Sequence, residues 1–430
     1  MVLSQHAQGI TRFGPKRSLS MDGGTVELKL IADWGGRMTV VLGVNQLDDA
    51  TLQTIVPYME RVAKAGPGVP IYPEPVSRVG RREYQPVQLW HERSIDALQE
   101  SRTVPLDGIL RDARNASLRS AVFIGTSAET TCIMDSAAQL AYGEQTYVEL
   151  TVTSWGQNSS AAGWGGQAAR DWGRINAEAV ANHAVTIATR SAQVSAVEPG
   201  KYTAILESSA VAQFVRWMPG AFDAYSTLST EATPFSVSPH SSRVGRQVFD
   251  PRITIRSDPD DPDGGFYPFS SNGYPVGPIT WVSDGVLRNL AYAPEFGAMM
   301  GKSPYSDPPF SFRLGGGLAT IDEMIANCKR GIYVNRFFDV ELRDAKSGVV
   351  SGVTHDGCFL VRDGKIDRAI KNFRFLESPW FAFNKLDMIG VPRAAALGYT
   401  PGAQSWPLPM IVAPPVMVRD FNFVGFADAV

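Results

Sequence analysis

Apolar and polar residues alternate with a period of two over Thr25–Ala32. Val26, Leu28 and Leu30 face one way and Glu27 and Lys29 the other, the pattern of a half-buried strand. Asp33-Trp34-Gly35-Gly36 supplies a turn into a second strand, Met38–Leu42. The period then changes. Leu52, Ile55, Val56, Met59, Val62 and Ala63 form one helical face behind a cap at Asp48 or Asp49, with Pro57 inside and Gly66-Pro67 as the stop. Ser94–Ala116 predicts a second helical region, interrupted near Pro105, and strands are expected at Leu118–Ile124, Thr130–Met134 and Thr146–Trp155. Gly156–Gly166 reads as a loop. Gln167–Ser191 reads as a long alanine-rich helix with Ala168, Trp172, Ile175, Ala179, Val180 and Ile187 along one side.

Past the joint Glu198-Pro199-Gly200 the pattern is different. Tyr202–Leu206 predicts a strand and Ser209–Met218 a short helix, and from Phe235 the chain is strand and turn, dense in proline and glycine. Thr320-Ile321-Asp322-Glu323 has the form of a capping box opening a helix to Lys329. Strands follow at Gly331–Phe338, and Cys358–Val361 and Lys365–Ile370 flank Arg362-Asp363-Gly364 as a hairpin, because Asp-Gly suits a tight turn with positive φ. Pro401–Pro415 is extended, ahead of a last strand near Val416–Phe423. The expected fold class is α+β: an N-terminal antiparallel sheet with helices over 1–198, then a β-rich, barrel-like domain over 199–430.

Composition narrows the function classes. The chain has 430 residues, enough for two or three cores, with 44% apolar and 19% charged residues. A net charge of −3 gives no electrostatic reason to expect nucleic acid. Cys132, Cys328 and Cys358 are scattered, with no paired spacing for zinc or disulfides. No apolar run approaches the roughly 18–20 residues of a membrane span, and the first residues lack a signal peptide's apolar core. A cytoplasmic protein is expected.

Six segments, in order, resemble the TldD/PmbA family of metallopeptidases and their partner subunits. They are Gln8–Phe13, Pro199–Leu206, Ser242–Gly245 with the acidic turn Ser257–Asp261, Thr354-His355-Asp356-Gly357-Cys358-Phe359-Leu360, and Lys371–Phe375. In peptidase members the strand ending near Leu206 leads to a helix with an HExxxH motif, completed by a cysteine near the C-terminus. Two imidazoles and a thiolate then hold zinc, and the glutamate takes a proton from its water. Here Arg216 and Trp217 fall where the first histidine and the glutamate belong, and Ala221 near the second histidine. Gly398–Ser405, near the expected third ligand, contains no cysteine.

The resemblance therefore implies a non-catalytic subunit of TldE/PmbA type. It would bind no metal itself, partner a TldD-like zinc peptidase, and shape a cavity for unfolded or leader peptides. The alternatives are a self-sufficient, divergent hydrolase of the same fold, possibly a homodimer, and a peptide-binding scaffold.

His355, Asp356, Arg216 and Trp217 are the candidate cleft residues. On a regular strand His355 points away from Asp356 and Cys358, so the three form no metal cluster without a bulge. His183 reads as a packed or interface histidine. His240-Ser241-Ser242 has no nucleophile elbow around it. Asp258–Gly264 fails calcium-loop spacing at Pro262 and reads as a solvated turn. Trp155 and Trp164 stay open as stacking residues, while Trp172 is assigned to helix packing.

Overall fold

The computed structural model describes residues 1–34, 38–65, 84–95, 102–103, 105–136, 139–156, 162–302, 306–398 and 409–427. It is an α+β protein. The Gly35-Gly36 turn, the Gly66-Pro67 stop and most of Pro401–Pro415 lie outside the described residues.

The first sheet contains β1 (Val2–Phe13), β2 (Ser18–Trp34), β3 (Met38–Val44), β4 (Arg119–Met134), β5 (Leu140–Trp155) and β6 (Ala162–Ala169). Their order is β3-β2-β1-β4-β5-β6, antiparallel throughout. Helix α1 (Asp49–Ala65) covers β3, with Asp48 accepting from the Thr51 amide at 2.8 Å and Pro57 inside it. Among its described residues the interrupted helical region includes α2 (Glu92–Ile95) and α3 (Leu106–Asn115).

Two expectations are corrected. Leu118–Ile124 and Thr130–Met134 are one strand, because residues 125–129 pair without a break to 145–149 of β5. The long helix begins only at Ala177, as α4 (Ala177–Arg190), capped by Asn176 on the Ala179 amide. Ala162–Ala169 is the edge strand β6. It replaces the end of the expected Gly156–Gly166 loop and the start of the expected helix, and its residues are small for a tertiary reason. α4 lies directly on them, and a Cβ at Gly163 would sit 2.3 Å from the Ala184 carbonyl oxygen, one at Gly165 2.3 Å from that of Val180. Gly163→Ala is expected to cost about 1–3 kcal/mol through this overpacking, measured by denaturant unfolding. An unchanged midpoint would show that α4 is free to lift.

The second sheet contains β7 (Val194–Ser195), β8 (Gly200–Leu206), β15 (Arg330–Asp344), β16 (Val349–Arg362), β17 (Lys365–Ile370), β18 (Phe373–Glu377), β19 (Leu386–Ile389) and β22 (Val416–Phe426). β15, β8, β22, β18 and β16 are neighbours in that order, and β15 also pairs with β16. These five strands therefore close a ring, which removes their edges. Helix α5 (Ser208–Val215) plugs it, with Phe214 among Phe337, Phe375, Phe383 and Phe421 at 5.5–6.2 Å between ring centroids.

A further sheet, ordered β13-β12-β11-β14-β21-β20, joins β11 (Ile255–Ser257), β12 (Ile279–Ser283), β13 (Val286–Leu287), β14 (Phe312–Leu314), β20 (Arg393–Ala394) and β21 (Ile411–Ala413). β9 (Ser236–Ser238) and β10 (Ser241–Ser242) form a small hairpin with His240 at its turn, φ +60°. The short helices are α6 (Ala224–Leu228), α7 (Pro294–Met299), α8 (Ile321–Ala326) and α9 (Pro379–Ala382). The capping box forms at Thr320 and Glu323, and Asp363 and Gly364 take φ of +49° and +76° in the hairpin turn. No described helix is long and apolar enough to cross a membrane.

Candidate functional site

A cleft of about 520 Å³ lies where the first sheet meets the C-terminal half. Its walls are the edge strand β6, helix α4, the start of α5 and the edge strand β20. Trp164, His183, Asn335, Glu207, Ser208 and Arg393 all line it. Both strands lie at the ends of their sheets.

The wall behind Trp164 is built on a β-bulge. Val334 pairs with Cys358 and Arg336 with His355, so Asp356 and Gly357 oppose Asn335 alone. Asp356 has φ +49° and Gly357 φ +124°. Only glycine fits the second position, because a Cβ there would meet Ile187 Cγ2 at 2.4 Å. The bulge overturns the regular-strand expectation for His355 and Asp356. It turns the Asp356 carboxylate back to 2.9 Å from His355 Nδ1, where Arg336 also donates from Nε at 2.9 Å and Nη2 at 2.5 Å. Burial alone would raise the Asp356 carboxyl; the His355 hydrogen bond and the Arg336 guanidinium outweigh it and hold the carboxyl below its ordinary range.

Asn335, which the bulge leaves without a strand partner, joins the two halves of the protein. Its Nδ2 donates to the carbonyls of Trp164 and Asp356, each at 2.8 Å, and its Oδ1 lies 2.8 Å from His183 Nε2. His183 is thus an interface residue between α4 and β15. The Arg336 guanidinium stacks over the Trp164 ring at 5.0 Å from its centroid. Cys358 stays inside the barrel core, where burial pushes its thiol up to about 12. It is an inert packing residue at neutral pH.

Arg216 and Trp217 lie elsewhere. They follow the C-terminal end of α5, where Trp217 Nε1 donates to the Val340 carbonyl at 2.9 Å and Arg216 stacks on Trp217 at 5.4 Å. The structure therefore makes two pairs, His355 with Asp356 and Arg216 with Trp217. They meet β15 at different points, Arg336 and Val340, and neither lines the cleft.

The local backbone at Arg216 also differs from a metal-binding helix. α5 stops at Val215, and Met218–Phe222 is a 3₁₀ turn containing Pro219. Arginine has donors only, the Trp217 N–H is already used, and Ala221 has no ligand atom. This donor set does not fit zinc. Among the described residues no three His, Cys, Asp or Glu side chains converge to hold a metal. Gly398 is described, but 399–405 of the expected third-ligand segment lie outside.

Sequence reasoning misses Glu149. It lies on β5 with no exposed surface, accepts from Tyr147 Oη at 2.6 Å and has its second oxygen unpartnered among the described residues. Burial raises its carboxyl to about 7, against the opposing pull of Tyr147, the Gly398 and Leu397 amides and Arg336. Alternation assigns Tyr147, Glu149 and Thr151 to one face; that face is covered, not solvated. The acidic turn is also corrected. Asp261 is 7% exposed and receives both ends of the Arg313 fork at 2.6 Å, while Asp263 bridges Arg313 at 2.9 Å and Arg174 at 2.5 Å. It is an ion-paired clasp between the turn, β14 and the segment before α4.

Residues 199–425 match the model of the PmbA/TldA metallopeptidase C-terminal domain. A curated "Metalloprotease" from Archaeoglobus fulgidus is 24% identical over 143 residues, 30% of this chain and 32% of that protein. A Thermotoga maritima protein described as a candidate modulator of a DNA gyrase superposes with a TM-score of 0.81 at 15% identity, over 98% of this chain and 94% of that one. TldE from Thermococcus kodakarensis gives 0.80 at 13% identity, over 99% and 96%. At such identities the superpositions show a shared fold; the domain match, which spans more than half of the chain, shows the family. This chain is a member of the TldD/PmbA family, a metallopeptidase-related protein.

Proposed function

We propose that this chain is the non-catalytic, TldE/PmbA-like subunit of a cytoplasmic heterodimer with a TldD-like zinc peptidase. The observation that carries the reading is that Arg216, Trp217 and Ala221, just past a helix that stops at Val215, stand where a zinc helix would need two imidazoles and a carboxylate. Zinc and the proton-transfer chemistry belong to the partner, and this chain supplies shape. An unfolded or leader peptide lies extended in the cleft between β6 and β20. Their outer backbone groups read it by main-chain hydrogen bonds, with little regard for sequence. The His183–Asn335 bridge and the Arg336–Trp164 stack hold the cleft walls at a fixed spacing.

Affinity purification of the tagged chain from its native host tests this. The expected result is co-recovery of a similar-length protein carrying HExxxH with zinc, and chelator-sensitive peptide cleavage by the pair only. Zinc bound one to one by the isolated chain, or chelator-sensitive cleavage by it alone, would reverse the reading in favour of a self-sufficient hydrolase. Recovery with no such partner would leave a scaffold.

A further inference from the structure

A second cavity, about 300 Å³, shares no lining residue with the cleft and is built by other parts of the chain. Glu129 of β4 contributes one wall. Tyr267 and Phe269 contribute another, their rings stacked at 5.2 Å and 5°. Trp281 of β12 lies at the buried end, 1% exposed and fixed by its Nε1 hydrogen bond to Ser257 at 2.9 Å. Phe310, 49% exposed, and Asp307 form the mouth.

The charge pattern is one-sided. Two carboxylates line the cavity, and among the described residues no lysine or arginine does. Glu129 is held by Gln145 Nε2 at 2.7 Å and Thr131 Oγ1 at 3.4 Å, and Asp307 by the Ser271 amide at 2.8 Å. Arg170, whose charge Glu129 feels, is turned to the carbonyls of Thr146 and Gly265 and is absent from the lining. Burial accordingly pushes the Glu129 carboxyl up, with only partial relief from Gln145, Thr131 and Arg170.

A bound anion would be repelled here, and a neutral apolar ligand would leave Glu129 further desolvated. A small organic cation satisfies both features at once: it neutralises the carboxylates and rests against aromatic faces. The volume falls at the lower end of the range for small-molecule sites. We propose that this cavity binds an organic ammonium or guanidinium group, either a free amine or the basic side chain of a peptide.

The test is calorimetric titration of the full chain with choline and with 3,3-dimethylbutan-1-ol, its neutral isostere. Choline is expected to bind at least about tenfold more tightly, as desolvated cation–π contact with a carboxylate requires. Glu129→Gln should reduce that preference about tenfold, and Phe310→Ala, at the exposed mouth where the fold is insensitive, should weaken choline several-fold. Titration with N-acetyl-lysine methylamide beside choline tells the sources apart. Tighter binding of the lysine derivative assigns the cavity to a peptide side chain, and tighter binding of choline to a free cation. Equal affinity for choline and the alcohol, no saturable binding of any cation, or an unchanged preference in Glu129→Gln would each overturn the inference.

Discussion

Arg336→Ala is expected to destabilise the folded protein by about 3–5 kcal/mol at pH 7, the usual cost of removing one partner of a buried ion pair. The Asp356 side chain is 4% exposed and Arg336 supplies two of its charge-assisted hydrogen bonds. Without Arg336, His355 alone faces a carboxylate that has little access to water. The Arg336 stack on Trp164 is lost as well, so the effect should spread from the bulge to β6 and the cleft.

The pH dependence separates this account from a simple packing loss. The Asp356 carboxyl lies below its unfolded value, so its contribution is complete above the unfolded carboxyl range and disappears as pH falls through the folded value. The gap between wild type and variant should therefore shrink in acid. Urea unfolding at pH 7 and at pH 3 measures it. A gap below about 1 kcal/mol at pH 7, or one of equal size at both pH values, would show that the pair is not an electrostatic clamp.

Glu149→Gln acts with the opposite sign. The folded-state carboxyl is raised to about 7 from 4.5, chiefly by burial. Between those values the folded protein binds the proton and the unfolded chain does not, so stability falls as pH rises through that window. The wild type should lose about 2–3 kcal/mol between pH 5 and pH 8 from this one group, since each tenfold change in proton affinity is worth about 1.4 kcal/mol. Glutamine does not titrate, and the variant should lack that slope whatever its absolute stability. Parallel unfolding curves for the two proteins across this range would mean that Glu149 stays ionised and is compensated by a group near Gly398.

The contrast between these two carboxylates shows what a linear pattern conveys. Asp356 is marked by the segment around it, but its partner is not. Strict alternation sends His355 and Asp356 to opposite faces, and only the two-against-one pairing with Asn335 brings them together. That bulge depends on register with a strand some twenty residues earlier in the chain, which a local pattern does not encode. Glu149 is hidden for a different reason. The period of two over Tyr147–Thr153 predicts a strand, and β5 is one, but a period does not say whether the polar face meets water or another element. The first part of β6 reads as loop, and its end, Gln167–Ala169, reads as helix because Ala168 and Ala169 have high helix propensity, a weak prior that pairing with β5 overrides.

Local chemistry, by contrast, carries through. The Asp363-Gly364 turn and the Thr320–Glu323 capping box depend on contacts within a few residues, so the amino-acid order alone specifies them, while of the two possible caps Asp48 and Asp49 the structure selects Asp48. The α+β class is equally readable, from the switch along the chain between periods of two and periods of 3.6. Tertiary structure alone decided that β15, β8, β22, β18 and β16 close a ring, that His183 reaches Asn335, and that one buried carboxylate is clamped by a guanidinium while another is held by a phenol. Each of those depends on which distant surface arrives at a residue. Chain order constrains that only through the packing of the whole.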